Sequence, residues 1–131
     1  MPLLQLVLVA EPLAAAHARH AARDFARKHG AADQTVEDIA LAVSEAVTNA
    51  AVHGYRDRPA PGDVTVSIRR DGHDLVVLVC DDGVGVSPRP DTPGLGLGLA
   101  LIGQLSDSLE IRDRRGGGAE LSMRFRLQPN D

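Results

Sequence analysis

Residues 44–55 read SEAVTNAAVHGY and set a carboxylate, a carboxamide and an imidazole four positions apart: Glu45, Asn49 and His53. On a helix that spacing puts all three along one stripe. An apolar stripe through Val43, Val47 and Ala50 is rotated away from it. A carboxylate beside a carboxamide suits magnesium-dependent phosphoryl transfer. The Asn oxygen can ligate Mg²⁺ without adding charge, and the Glu can orient or deprotonate a nucleophile. The same spacing also describes an ordinary amphipathic helix whose polar residues face water. His53 has two readings as well: contact with a phosphate or a metal-bound water, or interaction with the helix dipole at the C-terminus.

A second cluster is Cys80-Asp81-Asp82-Gly83-Val84-Gly85, which closes a continuous apolar run. A carboxylate at a strand end only accepts hydrogen bonds, so Asp81 can read an adenine amino group. Gly83 and Gly85 would let the chain turn beneath a planar base. An Asp-Gly turn between two strands would look the same locally. No strand comes next, however: residues 86–93 are VSPRPDTP, whose three prolines make a loop. Then comes GLGLGLALIGQL, residues 94–105. Glycine weakens a strand interior, but before a helix it lets backbone N–H groups approach an anion. That stretch predicts a phosphate.

The elements that must position these groups are legible in outline. Leu3–Ala10 reads as a strand. Leu13–His29 reads as a helix ended by Gly30. Thr35 with Asp38 resembles a capping box and opens a helix reaching about His53, stopped by Gly54; Ile39, Val43, Val47 and Ala50 form its buried stripe. VTVSIRR and DLVVLVC alternate around Asp71-Gly72, a hairpin signal, with Val64, Val66 and Ile68 on one face. Leu97–Ser106 reads as a helix, and Leu109–Arg114 with Glu120–Leu127 as a second hairpin around Gly116, Gly117 and Gly118. The order β-α-α-β-β-α-β-β predicts an α+β two-layer sandwich. Its sheet is mixed but mostly antiparallel, with helices on one face, and residues 1–131 form one domain.

At 131 residues the chain can bury roughly two thirds of its unfolded surface, enough for a core without staples. Without Trp, and with Phe25, Tyr55 and Phe125 its only aromatics, the core must be aliphatic. A net charge of −4 gives no electrostatic support to nucleic-acid or anionic-membrane binding. Cys80 is the only cysteine, which excludes an intrachain disulfide and fits a reducing compartment. The opening apolar run is short and lacks a basic flank, so neither a signal peptide nor a membrane span is expected; a cytoplasmic, soluble protein is. Cys80 reads as a buried small hydrophobe. Arg19, Arg23 and Arg27 share one stripe of the first helix, either a docking face for a partner or a solvated face.

Together and in this order, SEAVTNAAVHGY, DDGVG and GLGLGLALI resemble the asparagine box and two glycine boxes of the GHKL superfamily of ATP-binding domains, with the Bergerat fold, over about residues 36–127. The chain looks most like the small bacterial anti-sigma factor serine/threonine kinases. The resemblance implies ATP and Mg²⁺ as cofactors, with Asn49 ligating the metal and Glu45 as catalytic base. It implies Asp81 on the adenine, Gly83 and Gly85 flanking the base, and Gly94, Leu95, Gly96, Leu97 and Gly98 at the phosphates beside His53. It implies a sigma factor and an anti-sigma factor antagonist of the STAS type as partners, and a possible homodimer. Ala119 stands near the place where many relatives have a threonine, so the hydroxyl contact is either missing or replaced by Ser122 or a water. The lid, residues 86–93, is short and holds Arg89 as its only cation.

The expected function is therefore an anti-sigma factor that phosphorylates a serine of its antagonist. Two alternatives share the nucleotide site. One is a catalytically weak ATP-binding regulatory module. The other is the catalytic domain of a histidine kinase, against which HARHAARDFARKH at residues 17–29 lacks the acidic residue and proline expected after an acceptor histidine.

Overall fold

The computed structural model describes residues 3–54, 62–82, 95–113 and 118–128. In chain order the elements are β1 (Leu3–Val9), α1 (Pro12–Lys28), α2 (Asp33–Asn49), a π-helical turn (Ala50–Gly54), β2 (Asp63–Asp71), β3 (Asp74–Asp81), α3 (Leu95–Leu105), β4 (Ser108–Asp113) and β5 (Ala119–Arg126). The strands form one sheet in the order β1-β2-β3-β5-β4. Every pairing is antiparallel, so the parallel pair allowed by a mixed sheet does not occur among the described strands.

Alternation decides which face the helices cover. Val64, Val66 and Ile68 of β2, Leu75, Val77 and Val79 of β3, and Leu121, Met123 and Phe125 of β5 point into one aliphatic core. Onto it α2 lays Ile39, Val43 and Val47, all fully buried, and Ala50 just beyond. The opposite face carries Thr65, Ser67 and Arg69 and has no helix over it among the described residues. Helix α1 buries only alanines, Ala14, Ala18, Ala22 and Ala26, one per turn. Side chains this small let two helices approach closely, and α2 is its neighbour.

Gly30 ends α1 in the left-handed region at φ +84°, and the Ala31 N–H reaches back to the Ala26 carbonyl, as a glycine-terminated helix requires. The start of α2 departs from the capping-box expectation. The helix begins at Asp33, Ala32 precedes it, no side chain caps it, and Thr35 is buried within the first turn. A tertiary bond sets this end instead: the Ala32 N–H donates to the Leu127 carbonyl at 2.9 Å. The first hairpin turns on Gly72 and His73, because Asp71 still pairs with Asp74. Helix α3 starts two residues earlier than its glycines suggested.

Candidate nucleotide site

Helix α2 carries Glu45 and Asn49 one turn apart at its C-terminal end. Asn49 is its last α-helical residue, and the chain then widens into the π turn that holds His53. Such turns are frequent at functional sites. Asn49 does not face water: it is only 8 % exposed. Its Nδ2 is buried and finds no hydrogen-bond partner among the described residues. A buried donor left unmade costs about 1–3 kcal/mol, which a structure normally avoids.

Gly98 of α3 covers the carboxamide. A Cβ built at Gly98 would stand 2.8 Å from Nδ2 and 3.1 Å from Oδ1 of Asn49, closer than side chains pack. Ile102, one turn on, is fully buried and holds this face of α3 inward. The third glycine of the second glycine box is therefore the space in which the asparagine amide sits. Rotating that amide by half a turn exchanges its two polar atoms, so the position can offer an oxygen to a cation or an N–H to an anionic oxygen. Among the described residues no three His, Cys, Asp or Glu side chains gather as a metal cage. A lone amide oxygen suits Mg²⁺ nonetheless, because that ion keeps waters and takes its other ligands from phosphates. The residues present fit a magnesium nucleotide.

Asp81 ends β3, 6 % exposed. It follows Leu75, Val77 and Val79 in the alternation, so its side chain emerges on the helix-covered face. It pairs with Val64 on one side and Ala119 on the other. The same end of the sheet carries the end of α2. Val9 pairs with Asp63, the neighbour of Val64. Glu11 and Pro12, just after Val9, line a hollow of about 170 Å³ with Thr48 and Ala51. Asn49 and Asp81 thus share one face and one end of the sheet. Glu45 is half-buried one turn back, with no ion pair or hydrogen bond among the described residues.

Gly118 was not singled out from the sequence. Its φ is +93°, and a Cβ there would lie 2.0 Å from the Asp81 carbonyl oxygen, so only glycine can stand beside the end of β3. The signal was the triple glycine, which does not say which member is indispensable. Gly83, Gly85 and Gly94, with Arg89 and the rest of the lid, lie outside the described residues, as do the side chains of His53, Leu95 and Leu97. Gly96 lies on α3.

Three expectations are corrected. Ser122 cannot take the place of the absent threonine: Ala119, Leu121 and Met123 face the helices, whereas Ser122 lines the open face with Glu110 and Arg124. It is also three residues along β5, about 10 Å away. The arginine stripe of α1 is not simply a free docking surface. Arg23 and Arg27 both approach Glu37 of α2, at 3.1 and 3.7 Å, which tethers one helix to the other. Cys80 is half-buried rather than buried, with Sγ 3.8 Å from Oε1 of Glu120.

The profile of the histidine kinase-like ATPase domain family matches residues 8–125. Among curated relatives, a protein named anti-sigma F factor from Clostridium acetobutylicum is 27% identical, over 92% of this chain and 91% of that protein. Another so named, from Pasteuria penetrans, is 31% identical over 73% of each chain. Among solved structures, the RsbU and RsbW domains of a Mycobacterium tuberculosis protein align over this whole chain with a TM-score of 0.74 and 25% identity; this chain spans 35% of that one. A histidine kinase domain from Erythrobacter litoralis shares the fold, with a TM-score of 0.60 and 24% identity over 92% of this chain and 62% of that one.

Proposed function

This chain belongs to the histidine kinase-like ATPase domain family, and from that premise we propose that it is an anti-sigma factor with ATP- and Mg²⁺-dependent serine kinase activity toward an antagonist protein. The observation that carries the nucleotide part is the buried Nδ2 of Asn49 beneath Gly98, a donor that finds no partner among the described residues. The relatives named anti-sigma F factor support the partner classes, a sigma factor and its antagonist. The absence, among the described residues, of a helix long and apolar enough to cross a membrane accords with a cytoplasmic setting.

Bound Mg²⁺, held by Asn49, would neutralise charge on the phosphates. The chain's own groups divide the remaining work. Glu45 takes the proton from the antagonist's serine hydroxyl as that oxygen bonds to the γ-phosphorus and the bond to the β-phosphate oxygen breaks, releasing ADP. Asp81 accepts a hydrogen bond from the adenine amino group, and the burial of its carboxylate excludes competing water. A phosphoserine adds about −1.5 to −2 charge, enough to reject an interface.

Incubation with labelled ATP, Mg²⁺ and candidate antagonists, scored for acid-stable phosphoserine, tests the proposal. Glu45→Ala should abolish transfer, by about 10²-fold or more, while ATP still raises the melting temperature. At a hundredfold excess over its Kd, ATP with Mg²⁺ should add about 2.7 kcal/mol of stability; an unmoved melting temperature would remove the nucleotide reading itself. A regulator that binds ATP without turnover is the second reading. It is favoured by Ala119, opposite Asp81 with no hydroxyl, and by Ser122 on the wrong face to replace one. ATP binding with no phosphoserine on any antagonist would select it.

A further inference from the structure

A hollow of about 690 Å³ lies at the far end of the sheet. Asp74, at its rim, begins the strand that Asp81 ends, seven residues or about 23 Å away. Arg70 and Arg126 line it from two strands, and His29 and His73 from the end of α1 and the β2–β3 turn. Neither of these guanidinium groups is in an ion pair among the described residues. Asp74 is the only carboxylate in the lining among the described residues, and Arg124 engages it at 2.9 Å. Asp107 stands nearby but accepts the backbone N–H of Arg126 at 2.7 Å. Among the described residues the concavity thus presents two guanidinium groups that stand outside any ion pair.

The walls are fastened to one another. The Leu127 N–H donates to the His73 carbonyl at 2.9 Å, and the Leu127 carbonyl accepts from Ala32 at 2.9 Å. The Gln128 side chain donates to the Gly30 carbonyl, Nε of Arg70 donates to the Gly72 carbonyl at 3.0 Å, and the His29 ring rests on Phe25 with centroids 4.3 Å apart. Three segments of the chain thus hold one preformed hollow whose size is that of a small-molecule site.

We propose that this hollow binds a phosphate-bearing small molecule. Two guanidinium forks and two imidazoles are N–H donors suited to a multiply charged, tetrahedral oxyanion, and Arg binds phosphate in bidentate fashion. Buried Leu127 gives an apolar floor for the organic part. The site is separate from the nucleotide end of the sheet and does not rest on the kinase reading.

Inorganic phosphate is the probe, titrated into the full chain and followed by the backbone amide signals in ¹H–¹⁵N spectra. Acetate and chloride at equal ionic strength serve as controls. Saturable shifts at Gly30, His73 and Gln128 are expected, with Kd weakened about tenfold or more in R70Q/R126Q, the loss of a charge-assisted hydrogen bond. The single variant Arg126→Gln, exposed and bonded to Asp107 only through its backbone, provides the same readout should the double variant not fold. Shifts that do not saturate, that acetate reproduces or that survive the substitutions would mean an adventitious ion only and overturn the proposal. So would shifts confined to the amides around Asn49 and Gly98.

Discussion

Gly118 lies so close to the Asp81 carbonyl that a β-carbon at 118 would fall 2.0 Å from its oxygen, in a backbone conformation, φ +93°, that side chains avoid. Asp81 is therefore fixed from behind by the start of the neighbouring strand. Gly118→Ala should destabilise the fold by about 3 kcal/mol or more, the sum of a strained φ and an overpacked contact. Denaturant unfolding of the two proteins measures it. A loss below about 0.5 kcal/mol, the scale of an ordinary surface change, would show that this end of the sheet yields freely.

Gly98→Ala tests the contact between the two boxes. The new methyl meets the Asn49 amide at 2.8 Å and must displace it or α3. Overpacking of this kind costs about 1–3 kcal/mol. ATP affinity should fall further than stability, because the displaced amide is the proposed ligand group. Titration calorimetry alongside thermal melts separates the two effects.

Asp81→Asn keeps the shape of a buried side chain but turns part of an acceptor into a donor facing the adenine amino group. A hydrogen bond to a charged group is worth about 1.5–3 kcal/mol, so ATP should bind about 10- to 150-fold more weakly. GTP, which lacks that amino group at the corresponding position, should lose less. Equal losses for both nucleotides would point to a structural role for Asp81.

Acid should act through the β2–β3 turn. The Arg124 guanidinium, hydrogen-bonded to Asp71 at 2.9 Å, holds its carboxyl below the usual 3.8, and its charge adds to the effect. A carboxyl whose pKa is lowered on folding contributes stability that is present above pH 3.8 and lost as pH falls through the folded value. Asp71→Asn should therefore flatten the pH dependence of unfolding below about pH 4 and leave its shape near neutrality unchanged. The exposure of the pair keeps the amplitude small. Unfolding curves from about pH 2 to 7 on both proteins provide the comparison.

The apolar periods wrote much of this fold directly into the chain. Ile39, Val43 and Val47 at helical spacing and Val64, Val66 and Ile68 in alternation are buried as their periods require, because burial of one face is what selects each period. The start of α2 was not legible, since it is set by a bond from Ala32 to Leu127, residues 95 positions apart. Nor was the fate of the arginine stripe, which depends on α2 bringing Glu37 across.

The residue types of the site, and their order along the chain, were fixed by the sequence alone: an acid and an amide one turn apart, an acid at a strand end, and glycines before a helix. Local spacing reaches no further than one element. That the Asn49 amide is buried, that Gly98 makes its space and that Ser122 faces away from Ala119 were decided by packing between elements distant in the chain. The physical reason is that burial and contact belong to pairs of surfaces, and only the assembled sheet and helices say which surfaces meet.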